Sequence, residues 1–264
     1  MKKIISLLLI VSILFCTFAG LSVCSSALDG KVSGFKCKAR TAAAEALIWN
    51  KIGTASGYQI QISNPAGSKW VATKATTSTA YVFKNLTAGS NYKFRIRYYV
   101  KGNNGEVQFS SWSSTLCSPT LPKSTALTKL AAGVESFTAQ WGKQAVTGYQ
   151  LQYSTNAQFT GAKTLTFKNV NVLKATVKKL IANKTYYVRV RTYKYIAKAN
   201  YFSTWSPVRI VVPKIDASKK AVYITPTGKR YHYDSKCGNG TYIKVTLREA
   251  LNRGLTPCKK CVHG

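Results

Sequence analysis

The sequence predicts a mostly-β protein of 264 residues, with two tandem seven-stranded β-sandwiches followed by a small α+β unit. Three observations predict it. Residues from about 32 to 214 repeat themselves, and within each copy the apolar residues alternate with a period of two. Residues 221–264 then break the pattern, gathering three of the seven cysteines and both histidines around one short helical run.

The repeat has a spacing of about 93 residues and is carried by landmarks in the same order. Trp49 aligns with Trp141, and Gly57-Tyr58-Gln59-Ile60-Gln61-Ile62-Ser63 with Gly148-Tyr149-Gln150-Leu151-Gln152-Tyr153-Ser154. Leu86 and Tyr92 align with Leu180 and Tyr186, and Phe109-Ser110-Ser111-Trp112-Ser113 with Phe202-Ser203-Thr204-Trp205-Ser206. Tyr58, Ile60 and Ile62 alternate with Gln59 and Gln61, and Tyr92, Phe94, Ile96 and Tyr98 with Lys93, Arg95 and Arg97. Tyr186, Val188 and Val190 repeat this with Arg189 and Arg191 between them. Alternation sends one set to a core and the other to water, as in half-buried antiparallel strands. Turn signals such as Asn64-Pro65-Ala66-Gly67 and Gly102-Asn103-Asn104-Gly105 separate the runs.

With these landmarks each copy resembles a fibronectin type III domain. The shared features are the core tryptophan on the second strand, the Gly-Tyr opening the third, the Leu-x5-Tyr tyrosine corner, the Arg-x-Arg strand and the late Trp-Ser. The expected domains are residues 31–121 and 125–213, joined by Ser118-Pro119-Thr120-Leu121-Pro122-Lys123-Ser124. The resemblance implies spacing, adhesion or recognition rather than catalysis. Arg95, Arg97, Arg189 and Arg191 have two readings: a basic ladder for an anionic polymer, or guanidinium groups stacked on Trp112 and Trp205, the reading favoured here. Trp70 has no sequence counterpart in the second copy and is the one tryptophan considered for a binding surface. Cys37 and Cys117 fall in the first and last strands of copy one, side by side in such a sandwich, and are expected to form a disulfide. By counting, copy two has Lys129 and Ile210 there, so both cysteines are missing together.

The chain opens Met1-Lys2-Lys3 and runs apolar to Val23, with Ser25-Ser26-Ala27 following, which reads as a signal peptide over residues 1–27. Acylation of Cys24 is a minor alternative. No second apolar run reaches spanning length, and no carboxy-terminal sorting signal is apparent before Gly264, so a secreted or cell-surface protein is expected. Its 39 basic and 7 acidic residues, a net charge of +32, attract polyanions whatever the fold. For an exported protein these are anionic cell-wall polymers, acidic glycans and extracellular nucleic acid. The bland counterpart is lysine on solvated faces with no dedicated partner.

With Cys16 and Cys24 in the leader, five of the seven cysteines remain, an odd number that suits one disulfide plus a three-cysteine metal site. Cys258-Lys259-Lys260-Cys261 is a C-x2-C pair, and His232 and Cys237 supply a second pair from a distant turn. Three thiolates and an imidazole satisfy the tetrahedral preference of Zn2+. The expected ligands are therefore His232, Cys237, Cys258 and Cys261. A strand over Ala221–Thr225, a turn at Thr227-Gly228-Lys229, a return strand at Tyr231–Tyr233 and a strand at Tyr242–Val245 precede a helix. That helix opens on the capping box Thr246-Leu247-Arg248-Glu249 and stops at Gly254. With so small a core, the metal would supply most of the stability.

The run Arg248-Glu249-Ala250-Leu251 to Gly254 and Pro257-Cys258-Lys259-Lys260-Cys261 is similar to the metal-binding domain of the Ada DNA-repair family, in which four cysteines hold zinc. The first of those cysteines accepts a methyl group from damaged DNA. His232 stands in its place here, four residues from Cys237 rather than three, and an imidazole offers no thiolate, so the resemblance implies a zinc fold without the repair activity. Three alternatives stay open: a redox Cys258/Cys261 pair, disulfide bonding of the tail cysteines, and His263 replacing His232.

No paired acids, Ser/His/Asp set or phosphate loop emerges, so no enzyme is expected. The expected function is a non-catalytic binding or spacer protein on an anionic wall polymer or glycan. The alternative is nucleic-acid binding through the basic tail, with Lys229, Arg230, Lys236, Lys259 and Lys260 on phosphates.

Overall fold

The computed structural model describes residues 28–263, so the signal reading over residues 1–27, with Cys24, lies outside the described residues. The first repeat forms β1 (Lys36–Arg40), β2 (Glu45–Ile48), β3 (Gly57–Ser63), β4 (Trp70–Thr76), β5 (Ala80–Phe83), β6 (Asn91–Lys101), β7 (Val107–Phe109) and β8 (Leu116–Pro119). One sheet has the order β1-β2-β5 and the other β4-β3-β6-β7, with β8 also on β6. Strands β7 and β8 lie along opposite halves of the 11-residue β6, so they are one strand position interrupted, and the sandwich has seven positions.

Two serines cause the interruption. Ser110 and Ser113 donate backbone N–H groups to Tyr98 and Ile96, and their hydroxyls accept from the N–H groups of the same two residues. The ladder is thus bridged by side chains while Trp112 is lifted onto the outer face. Ser203 and Ser206 do the same for Thr192 and Val190 around Trp205.

The second repeat forms β9 (Leu127–Gly133), β10 (Ser136–Trp141), β11 (Gly148–Ser154), β12 (Lys163–Phe167), β13 (Lys174–Val177), β14 (Tyr186–Ile196), β15 (Ala199–Phe202) and β16 (Arg209–Val211). Its sheets are β13-β10-β9 and β12-β11-β14-β15, with β16 on β14. The inward phase is the expected one. Trp49, Tyr58, Ile60, Phe94 and Ile96 fill one core, and Trp141, Tyr149, Leu151, Val188 and Val190 the other. Each side chain of this size contributes roughly 1.5–3 kcal/mol on burial. Both tyrosine corners form: the Tyr92 hydroxyl accepts from the Thr87 N–H at 3.0 Å, and that of Tyr186 from the Ile181 N–H at 3.1 Å. Gly57 and Gly148 leave no room for a side chain, because a tyrosine ring lies against each and the Phe167 carbonyl oxygen would clash with a Cβ at Gly148. A Cβ at Gly148 would sit 2.8 Å from Tyr193, and one at Gly57 2.5 Å from the Tyr99 hydroxyl.

The expected Cys37–Cys117 disulfide is corrected by the structure: both thiols are free. Alternation along β8 turns Cys117 outward and the neighbouring Ser118 inward, so Ser118 is what Cys37 meets. The Cys37 thiol donates to Glu45 Oε2 at 2.9 Å, and the Ser118 hydroxyl donates to the same oxygen at 2.8 Å. Glu45 is fully buried, its Oε1 has no partner, and Arg40 stands opposite it on β1. Burial raises the Glu45 carboxyl above the usual range against the hydrogen bonds and Arg40, and burial followed by the Glu45 contact raises the Cys37 thiol. By sheet register the second copy has Phe137 for Glu45, Val211 for Ser118 and Leu130, not Lys129, for Cys37. What disappears between the copies is a polar cluster, not a bonded pair.

Among the described residues no helix is long and apolar enough to cross a membrane.

Candidate metal centre and basic surface

The carboxy-terminal unit is built from β17 (Ala221–Ile224), β18 (Arg230–His232), β19 (Ile243–Thr246), the helix α1 (Leu247–Asn252) and β20 (Thr256–Pro257), with sheet order β19-β17-β18-β20. Val222, Ile224, Tyr231, Leu247 and Ala250 form its core. Thr246 caps the helix, its hydroxyl accepting from the Glu249 N–H at 3.1 Å. The other half of the expected capping box gives way to an ion pair, with Glu249 bound to Arg253 at 2.6 Å. Gly254 takes the left-handed conformation with φ of 73° and turns the chain back.

That return positions the chemistry. Thr256 and Pro257 pair in parallel with Arg230 and Tyr231, and the Cys258 N–H donates to the Tyr231 carbonyl at 3.0 Å. Cys258 is therefore held beside His232. Asp234, at the turn after β18, accepts from the Lys236 N–H at 2.8 Å and from the Cys237 N–H through its carbonyl at 3.4 Å, which brings Cys237 round to the same point.

One ligand atom from each of His232, Cys237, Cys258 and Cys261 lies within 4.8 Å of all the others. The Cys237 and Cys258 sulfurs are 3.7 Å apart, and the Cys261 sulfur is 3.5 Å from His232 Nδ1. In a tetrahedron with metal–sulfur bonds of about 2.3 Å and metal–nitrogen bonds of about 2.0 Å, sulfurs stand about 3.8 Å apart and sulfur and nitrogen about 3.5 Å apart. The donor set fits a tetrahedral divalent ion. Tyr242 packs edge-on against the His232 ring, 5.1 Å between centroids, which fixes its tilt.

The backbone N–H groups of Lys260 and Cys261 point at the Cys258 sulfur and lower its pKa, the arrangement of a C-x2-C knuckle. Hydrogen bonding to Cys261, then burial and the neighbouring Cys258, pushes Cys237 up to about 12. Thiols this close resist ionising together unless a cation joins them. His263 is exposed and stands outside the group.

Lys229, Arg230, Lys236, Lys259 and Lys260 are all exposed, and none is in an ion pair among the described residues. Lys236 adjoins Cys237, and Lys259 and Lys260 lie between the knuckle cysteines, so the positive charge surrounds the four-ligand group. The sandwich arginines are placed differently. Arg95 stacks between Trp70 and Trp112 at 4.5 and 4.6 Å, and Arg97 between Trp112 and Phe109 at 4.5 and 3.8 Å. Arg189 lies between Phe159 and Trp205, and Arg191 between Trp205 and Phe202. Gln61, Gln59, Gln152 and Gln150 accept from their Nε groups. These arginines hold the outer face together, and Trp70 caps a ladder rather than standing free. Phe159 occupies the equivalent place in copy two from a loop, a substitution sequence alignment misses because it arises at a different point in the chain.

No curated protein matches this chain. Among solved structures, a segment of two fibronectin type III domains from chicken tenascin aligns at 17% identity over 69% of this chain and 99% of that one, with a TM-score of 0.42. The FN1–FN3 domains of chicken CNTN1 align at 13% identity over 83% of this chain and 86% of that one, with a TM-score of 0.30. The first sandwich matches the family model of the Fibronectin type III domain over residues 30–115.

Proposed function

We propose that this is an exported, non-catalytic binding and spacer protein, with two fibronectin-like sandwiches presenting an Ada-like carboxy-terminal unit stapled by Zn2+. His232, Cys237, Cys258 and Cys261 are the ligands, and the ion serves as the cross-link that the small core lacks. The observation that carries this is the convergence of four ligand atoms within 4.8 Å from a strand end, a turn and a knuckle. Metal content of the purified chain, with thiols counted before and after chelation, tests it. One zinc per chain is expected, with three thiols released by the chelator in addition to those of Cys37 and Cys117, whereas no metal and fewer than three reactive thiols from the tail would leave the tail disulfide-bonded.

The partner in this reading is an anionic wall polymer or glycan, drawn by the excess of 39 basic over 7 acidic residues. A second reading, nucleic acid, is favoured by the five exposed basic residues around the metal ligands. Salt titrations against wall polymer and DNA separate the two. A partner held only by charge releases along a steep log–log salt slope, and a recognised one retains affinity beyond it. Charge reversal at Lys259 and Lys260 abolishes binding only in the nucleic-acid case.

A further inference from the structure

Beyond the ladder of the second sandwich, at the end of sheet β12-β11-β14-β15, lies an open groove of about 320 Å³. Its floor is the buried Tyr193, packed against Gly148 and set 6.0 Å from Phe202, centroid to centroid. Tyr195 rises at the rim, 57% exposed, although a tyrosine of a sheet face usually finds cover. Lys168 and Asn200 flank it, both exposed, and no carboxylate lines it. Gln150 beneath accepts from Arg191 twice and donates to Thr166, which holds the base of the groove in place.

The first copy has the same groove in the same place, smaller at about 240 Å³, with Tyr99 over Gly57 and Phe109 beside it. The shared parts are those the fold requires. The differences lie at the rim: Tyr195 and Asn200 replace Lys101 and Val107, and Thr166 replaces Ala75. The second copy thus adds an exposed ring, an amide and a hydroxyl where the first has none of these.

We propose that this groove binds one residue of an acidic oligosaccharide, with the apolar face of the pyranose on Tyr195, its hydroxyls on Asn200 and its carboxylate toward Lys168. The occupant is argued from charge and shape. An exposed aromatic ring with a few polar groups beside it suits a ring that is apolar on its faces and polar at its rim, and an exposed lysine with no acid in the lining suits an anionic one. This rests on the glycan reading of the proposed function and gives it a site.

The test is calorimetric titration of the full mature chain with a galacturonate trimer. Its methyl ester and a glutamate tripeptide serve as controls, with a parallel pull-down on polygalacturonate at low salt. Binding of the trimer is expected to fall by about tenfold or more in Tyr195→Ala, from loss of one ring contact. The equivalent change in the first copy, Lys101→Ala, should alter it less than about twofold, since additive, distant sites do not couple. Tyr195 is exposed, so an unchanged thermal transition should verify folding. Equal affinity in wild type and Tyr195→Ala, equal binding of the ester or the tripeptide, or an equal loss in Lys101→Ala overturns the proposal. If polygalacturonate is still retained while the trimer does not bind, the groove assignment alone fails. If neither is held, the glycan reading fails with it.

Discussion

Each sandwich buries eleven or twelve hydrophobic residues in one connected core, whereas the carboxy-terminal unit buries five. The sandwiches close over Trp49, Phe94 and their counterparts, and water is excluded by area alone. In the tail, α1 and four short strands cover too little surface to repay the entropy of ordering some forty residues, at roughly 1–2 kcal/mol each for the backbone. On the proposed reading the two parts draw their stability from different chemistry, dispersed apolar contact in one and four ligand atoms at one point in the other.

The largest effect should come from taking the metal away. Chelation, or Cys258→Ser, is expected to unfold residues 221–263 while leaving both sandwiches intact, because structural zinc contributes apparent free energies of about 10–16 kcal/mol to small units of this kind. Amide spectra of the tail should collapse to unfolded positions while the Tyr58 and Tyr149 strands keep theirs. A tail that stays folded without metal would erase the contrast. The reverse experiment, Phe94→Ala, should cost about 3–5 kcal/mol in the first sandwich and nothing in the tail. Denaturant unfolding followed at Trp49 and at the metal reports the two separately.

The strands and the gathering of the four candidate ligands were legible because they depend on local pattern. A period of two reads directly as a buried face, and Cys258-x-x-Cys261 with His232 and Cys237 leaves few other uses for those residue types. Register over long distances was not legible. Nothing in the sequence shows that Thr256–Pro257 would pair in parallel with β18, the contact that sets Cys258 beside His232. Nor does it show that Phe159 would stand in for Trp70, since the two come from different points of the chain. The disulfide expectation failed over a one-residue matter of phase: Cys117 sits on the outward step of β8 and Ser118 on the inward one.

The two sandwiches differ from each other at that same spot, where Glu45 in one occupies the place that Phe137 takes in the other. Because burial holds the folded Glu45 carboxyl above its ordinary value of about 4.3, the unfolded chain loses this proton first as pH rises. Its contribution is therefore complete below that ordinary value and is lost as pH climbs through the raised one. Stability of the first sandwich should decline over this interval, by no more than about 1.4 kcal/mol per pH unit for one proton. Glu45→Gln should flatten the decline, and the second sandwich should show none from this position. Urea melts at several pH values, read at each sandwich, check it.

The smallest expected effects lie within the tail and sharpen its contrast with the sandwiches. Thr246→Ala removes the helix cap, worth about 1 kcal/mol, and Arg253→Ala removes an exposed i,i+4 ion pair worth about 0.3–0.5 kcal/mol. If the metal carries the unit, both variants should bind zinc with nearly wild-type stoichiometry and show affinity losses no larger than these values, since folding and binding are one equilibrium there. Competition with a chromophoric chelator measures them directly. A loss of the whole metal site in Arg253→Ala would mean that the helix, not the ion, organises the fold, because an exposed pair of this strength cannot by itself outweigh four ligands.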